Sequence, residues 1–301
     1  MSGVLPLVAA QAPPRLIGDP LAGFADEVSR AVAEQPDARL VIFPELHLFG
    51  DGRPDRQRTE ALLESAEPLD GPRVAGLKEM AADLGIWLVP GSVCERGEDG
   101  ELFNTQLVLS PNGELAGYYR KVFPWRPFEP YNPGRRFTTV DLEGIGRVGL
   151  NICYDAWFPE VTRQLAWMGA EVILNVVKTT TPDRAQELIL ARANAIVNQV
   201  FMVSVNCAGP TGQGQSLIVD PEGTVIASGP SPDATTLAAE LDLGAVERVR
   251  LHGTAGLNRM WSQFRPGEAA IELPVYQGRI DPATWTPPVT PVMRVPPSLD
   301  E

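Results

Sequence analysis

The sequence predicts an α/β fold built on mixed sheets. Three observations predict it. Short apolar runs alternate with longer amphipathic stretches along the 301 residues. The turn signals Pro111-Asn112-Gly113 and Pro221-Glu222-Gly223 join neighbouring strands into hairpins, which adds antiparallel pairs. With 44% hydrophobic residues, a chain this long buries a core that needs no disulfide staples.

The elements follow in order. Leu5–Ala10 reads as a first strand, and Ala22–Glu34 has helical spacing. Ala38–Phe43 is a buried strand that stops at Pro44. Val74–Leu84 is helical, and Ile86–Val93 is a strand after Gly85. Phe103–Ser110, Leu115–Arg120, Phe137–Val140 and Arg147–Ile152 are further strands. Pro159 marks a helix N1 position, with Val161, Leu165 and Met168 on one face before Gly169. Val172–Val176 is a strand. Thr181-Pro182-Asp183 reads as an N-cap, a proline and an acidic first turn, opening a helix that runs to about Asn198. Val200–Asn206, Gln215–Asp220, Thr224–Ala227 and Thr236–Leu241 are strands, and Leu243–Arg250 is a short helix. Residues 1–280 read as one domain. From Asp281 onward, prolines at 282, 287, 288, 291, 296 and 297 and a lack of periodicity mark a C-terminal tail, 281–301.

Composition narrows the function. The 25 Lys and Arg against 38 Asp and Glu leave a formal charge of −13, which argues against nucleic-acid or anionic-membrane partners. The longest apolar run falls short of the roughly 18 residues of a membrane span. The N-terminus lacks a basic n-region and is interrupted by Pro6, so no signal peptide is expected. Cys94, Cys153 and Cys207 are an odd, widely spaced set that suits reduced thiols in a cytoplasm. Only His47 and His252 are present, far apart, so no zinc site is expected. The chemistry must run largely without histidine.

Four side chains stand out. Cys153 follows the strand Arg147–Ile152 and precedes the Pro159 helix. A cysteine at such an elbow reaches the sheet's carboxyl edge, where backbone N–H groups can receive an oxyanion. Position alone also suits a small buried hydrophobe, the ordinary state of a free cysteine. Cys94 and Cys207 are read that way. Glu45, in Phe43-Pro44-Glu45, sits just past a very apolar strand as a proton shuttle, a loop acid or a capping group. Lys121 ends a strand among aromatics. It is either a fixed charge for an oxyanion or an edge-strand lysine. Glu129 is a second acid in the loop Pro127-Phe128-Glu129-Pro130. Jointly they describe a thiol nucleophile, a carboxylate base and an ammonium clamp at strand ends, suited to attack on a carboxamide.

With Phe43-Pro44-Glu45, Tyr119-Arg120-Lys121, and Asn151-Ile152-Cys153-Tyr154-Asp155 followed by Phe158-Pro159-Glu160, the chain resembles the nitrilase superfamily of carbon–nitrogen hydrolases over about residues 3–260. The resemblance implies a four-layer αββα sandwich with two mixed β-sheets. It implies a Glu–Lys–Cys triad of Glu45, Lys121 and Cys153, with Glu129 as auxiliary glutamate. It implies a cofactor-free amidase that hydrolyses a small carboxamide or a carbamoyl (ureido) amide to acid and ammonia through a cysteine thioester, and a homodimer or higher oligomer paired through 159–169 and 182–198. The Tyr119–Pro130 segment is similar to aliphatic amidases and formamidases; the nucleophile segment looks more like carbamoylputrescine amidases and omega-amidases. A nitrilase, an amide-forming acyltransferase and a silent binding member remain alternatives. Trp125, Phe128, Tyr131, Tyr154 and Trp157 are the expected pocket wall. Asp155 and Arg126 are expected to read substrate charge there. His47 is either a pocket member or a loop histidine.

Overall fold

The computed structural model describes residues 3–50, 55–263, 265–269, 271 and 278. Residues 1–260 form one compact unit, and 261–301 are assigned to a second. The 281–301 tail lies outside the described residues.

The elements run β1 (Val4–Gln11), α1 (Leu21–Glu34), β2 (Leu40–Ile42), α2 (Asp55–Ser65), α3 (Pro72–Leu84), β3 (Trp87–Val89), β4 (Ser92–Arg96), β5 (Leu102–Leu109), β6 (Leu115–Arg120), β7 (Thr139–Leu142) and β8 (Gly146–Ile152). Then come α4 (Pro159–Trp167), β9 (Val172–Val177), α5 (Arg184–Asn198), β10 (Phe201–Asn206), β11 (Leu217–Val219), β12 (Val225–Ser228), β13 (Thr235–Asp242) and α6 (Gly244–His252). Two mixed sheets result. One has the order β13-β1-β2-β3-β5-β4 with β6 also paired to β5; the other runs β12-β11-β10-β9-β8-β7.

Layering follows from which faces are apolar. One core cluster joins Leu7, Ile42 and Val89 of the first sheet to Ile152, Leu174 and Val203 of the second, so the sheets pack face to face. A second cluster joins the first sheet's other face, through Val8, Val41 and Leu88, to Phe24 and Val28 of α1 and Leu77 of α3. Helices α4 and α5 pack on β8 and β10. β5, β9 and β10 are buried along their whole length, as strands covered on both faces must be. Gln106 pins the sheets together: its amide donates to the Leu174 carbonyl at 3.1 Å and accepts from the Asn151 N–H at 3.1 Å.

Three differences from the sequence reading have physical causes. The single strand expected over Ile86–Val93 is two, β3 and β4, broken at Gly91. Its φ is 86°, and a Cβ there would lie 1.7 Å from the Pro44 carbonyl oxygen. The α2 helix has no counterpart in the sequence reading, because its sequence is polar nearly all round; among its described residues only Ala61 and Leu62 are buried. α5 begins at Arg184, after a turn in which the Thr181 hydroxyl donates to Asp183.

Candidate active site

Glu45, Lys121 and Cys153 each follow a strand: β2, β6 and β8. Lys121 is fully buried, and its ammonium bridges two carboxylates. Nζ lies 3.0 Å from Glu45 Oε1 and 2.8 Å from Glu129 Oε1. Burial alone would depress its pKa, but Glu45 and then Glu129 outweigh that and hold it well above the ordinary lysine value. Lys121 is therefore a permanent cation. Two further donors fix the acids: Asn104 Nδ2 to Glu45 Oε1 at 2.7 Å, and the Trp125 N–H to Glu129 Oε2 at 2.8 Å.

Cys153 is partly buried, with φ at 46°. A left-handed conformation is strained for a residue carrying a Cβ, and such strain is typical of nucleophile elbows. Burial first, then the Glu45 carboxylate, push its thiol well above the ordinary value; Lys121 pulls it down. Its sulfur contacts Thr179 Oγ1 at 3.8 Å. The Thr179 hydroxyl sits 2.8 and 2.7 Å from the two Glu187 oxygens, so it donates to that carboxylate. Arg184 Nη1 donates to Glu187 Oε2 at 3.0 Å, and the Gly214 and Gln215 carbonyls hold the guanidinium at 3.2 and 3.0 Å. A buried chain thus runs Cys153–Thr179–Glu187–Arg184.

Two cavities flank these groups. The inner one, about 40 Å³, is lined by Cys153, Tyr154, Trp157, Thr179 and Glu187, among others. The outer one, about 550 Å³, is lined by Glu45, Arg58, Phe128, Tyr131 and neighbours. Trp125, Glu129, Lys178 and Thr180 line both. Phe128 is 68% exposed and Tyr131 is buried, its hydroxyl 3.6 Å from Cys94 Sγ. Among the described residues no group of three or more His, Cys, Asp or Glu is placed to hold a metal ion.

Asp155 corrects the sequence reading. It is fully buried and lines neither cavity. Its Oδ2 accepts from the Tyr119 hydroxyl at 2.9 Å and the Ile152 N–H at 3.1 Å, and its Oδ1 from the Phe123 N–H at 2.9 Å. Burial nonetheless raises its pKa to about 7. It ties the thiol elbow to the Lys121 loop. Arg126 is exposed and donates to the Tyr131 carbonyl at 3.2 Å. His47 is buried against the Phe24 and Phe43 rings, with Nε2 2.8 Å from Glu27.

Sequence reasoning missed Asn104, Thr179, Glu187, Arg184 and Lys178. Asn104 had a signal, since Asn-Thr-Gln interrupts the apolar run of β5.

The carbon-nitrogen hydrolase family model matches residues 9–251. The chain belongs to the carbon-nitrogen hydrolase family. It is 33% identical over 235 residues to a formamidase of Pseudomonas syringae pv. tomato, covering 75% of this chain and 66% of that protein. The chain thus spans about two thirds of that formamidase's length. Among solved structures it is similar to a Saccharomyces cerevisiae member of branch 10 of the nitrilase superfamily, with TM-score 0.74, 27% identity, and coverage of 83% of this chain and 94% of that one. It is also similar to a cysteine-to-alanine mutant of the Nesterenkonia sp. AN1 amidase in complex with butyramide, with TM-score 0.69, 26% identity, and coverage of 82% and 95%. This carbon-nitrogen hydrolase has no helix among its described residues long and apolar enough to cross a membrane.

Proposed function

We propose that the protein is an amidase that hydrolyses a short linear carboxamide to an acid and ammonia through a thioester on Cys153. The observation that carries this reading is the buried Glu45–Lys121–Glu129 cluster, whose Lys121 ammonium is a permanent cation beside the thiol. Glu45 takes the thiol proton and the sulfur attacks the amide carbon. The oxyanion is held by Lys121 and the Tyr154 N–H, in the first turn of the short helix Cys153–Trp157. Glu45 gives its proton to the departing nitrogen, and ammonia leaves. Water, deprotonated by Glu45, then attacks the thioester and regenerates the thiol. Glu129 holds Lys121 and orients the amide nitrogen.

Cavity size supports a small acyl group. A water-sized centre needs ~10–15 Å³, so the inner chamber admits about three non-hydrogen atoms. Its 40 Å³ suits a carboxamide head walled by Trp125, Tyr154 and Trp157. The butyramide of the amidase structure is of that class.

The test is ammonia release from formamide, acetamide and butyramide by the wild type and by Cys153→Ala. Turnover by the wild type alone is expected; full turnover by Cys153→Ala refutes the mechanism.

We also propose a cytoplasmic homodimer paired through α4 and α5. The thiols are free, and Trp167, Ile189, Ile196 and Val197 are exposed apolar groups on these helices. Ile189→Glu should lower the mass seen by light scattering; an unchanged mass rejects this face.

A further inference from the structure

Behind the general base lies a buried cluster that the proposed mechanism does not use. Glu45 is followed by Leu46, whose φ is 50°. A left-handed conformation is strained for a residue with a Cβ and persists only where neighbours over-determine it. Two backbone bonds help to hold it. The Leu46 N–H donates to Ser92 Oγ at 3.0 Å, and the His47 carbonyl accepts from the Arg15 N–H at 2.7 Å. The His47 side chain adds a third hold. It is fully buried, with its ring 5.5 Å from that of Phe24 and 4.9 Å from that of Phe43, so it packs back on the strand end that leads into Glu45. Its Nε2 lies 2.8 Å from Glu27 Oε2 of α1, and Arg15 Nη1 donates to Glu27 Oε1 at 2.6 Å.

The other ring nitrogen, Nδ1, is buried and has no hydrogen-bond partner among the described residues. A neutral ring donates from Nε2 to Glu27 and keeps a lone pair at Nδ1. A second proton would place a donor there with nothing to receive it. The charged groups facing the ring are Glu27 on α1, Arg15 in the loop after β1 and Lys178 after β9. Burial is the largest influence and, with the two cations, outweighs Glu27, so the pKa lies below the ordinary 6.5. The ring is neutral at neutral pH and gains its second proton as pH falls through that lowered value.

The loop matters because of how Glu45 is held. Lys121 and Asn104 both bind it through Oε1. A carboxylate held at one oxygen still pivots about it, so the loop backbone sets where the second oxygen lies.

Resting on the amidase reading, we propose that His47, held by Glu27, is a positioning residue for the general base: its neutral ring locks the Glu45–His47 loop in the orientation that serves the thiol, and a second proton taken from solvent onto Nδ1 releases it. Positioning is therefore present at neutral pH and lost in acid. It acts on kcat more than on KM, because it moves the proton acceptor of the chemical step.

The experiment measures kcat, KM and the pH profile of kcat for acetamide, together with the pH midpoint of Cys153 alkylation by iodoacetamide. His47→Leu fills the aromatic setting but cannot bond Glu27. A misplacement of about 1 Å costs about 10²-fold, so kcat at neutral pH should fall about tenfold or more with KM little changed. His47→Gln keeps a donor for Glu27 and does not titrate; it should restore most of kcat and hold it to lower pH than the wild type does. Glu27→Gln removes the charge that favours the imidazolium, so the acid-side fall should move to lower pH. A merely structural role would produce neither the glutamine rescue nor the pH shift. Wild-type kcat in His47→Leu overturns the proposal, as do pH profiles that coincide in the wild type, His47→Gln and Glu27→Gln; the two glutamine variants carry the test if His47→Leu does not fold.

Alkylation needs no substrate and separates the two readings. The Glu45 carboxylate raises the Cys153 thiol, so its release in His47→Leu should lower the midpoint. If no amide is turned over but the midpoint falls, the amidase reading fails and the positioning role stands. If amides are turned over and neither kcat nor the midpoint changes, the positioning role fails alone. An unchanged midpoint without turnover removes both.

Discussion

The two sheets bring different physics to one site. The first supplies Glu45 and, through the β6 end and its following loop, Lys121 and Glu129. Here every charged group has a charged partner: one ammonium lies between two carboxylates, and Asn104 and the Trp125 N–H fill further acceptor sites. The second supplies Cys153, whose left-handed backbone is strained and whose sulfur has a long contact to Thr179. One side is held by ion pairs and charged hydrogen bonds, while the nucleophile's sulfur has one polar contact among the described residues, at 3.8 Å. Fixed charges stabilise a developing oxyanion without reorganising, whereas a nucleophile must pass between thiol, thiolate and thioester. The difference assigns preorganisation to the first sheet and change to the second.

Breaking the ion-paired side should have the largest effect. Lys121→Met removes the charge opposite the oxyanion and should cost about 10²–10³ in kcat. It also strands Glu45 and Glu129, and loss of one partner from a buried ion pair costs about 3–5 kcal/mol. Single-turnover kinetics well below the melting temperature separate the two losses. A variant with wild-type kcat would show that the cluster serves stability alone.

The next effect tests the joint between the sides. Asp155 accepts from Tyr119, Ile152 and Phe123, which lie on β6, on β8 and in the loop after Lys121. Asp155→Asn turns one acceptor into a donor that must face a donor, at about 1–3 kcal/mol. Urea unfolding measures it. Because burial raises the Asp155 pKa to about 7, the folded state holds this proton more tightly than the unfolded chain. That contribution is fully present below the ordinary aspartate value and is lost as pH rises through about 7. The wild type's stability should decline over that window, and Asp155→Asn should flatten the decline.

The sheet that carries the charges was legible because its strands are apolar runs ending in single charged residues, as in Phe43-Pro44-Glu45. The thiol elbow was legible from the strand before Cys153 and Pro159 after it. The support behind the thiol was not. Thr179 lies in a run of three threonines with no periodicity, and Arg184 and Glu187 read as an ordinary i, i+3 pair in a first helical turn. Only the pairing of β8 with β9 brings that turn beside Cys153. Asp155 misled for the opposite reason. Its neighbour Tyr154 lines the cavity, but the turn after Cys153 points Asp155 back into the protein.

A smaller effect measures the strain on the thiol side. With φ at 46°, residue 153 suits glycine better than any residue with a Cβ. Cys153→Gly should be more stable than Cys153→Ala by about 1–2 kcal/mol, the cost of a left-handed residue with a side chain. Both should lack activity. Equal unfolding midpoints would mean that the elbow stores no strain, and the contrast with the first sheet would rest on charge alone.

The smallest effect probes how the tether tunes the thiol. Glu187 holds the Thr179 hydroxyl and adds a negative charge that, after burial, Glu45 and Lys121, shifts Cys153 upward. Glu187→Gln keeps a hydrogen-bond acceptor for Thr179 and removes that charge, so the pH midpoint of Cys153 alkylation by iodoacetamide should move down. At a fixed neutral pH, alkylation should be severalfold faster, since the thiolate is the reacting form. Cys94 and Cys207, which burial raises to about 12 and about 11, serve as internal controls whose alkylation stays slow. A midpoint that did not move would mean that Thr179 and Glu187 hold the thiol's position without setting its charge. Both sides of the site would then be tuned from the first sheet, through Glu45 and Lys121.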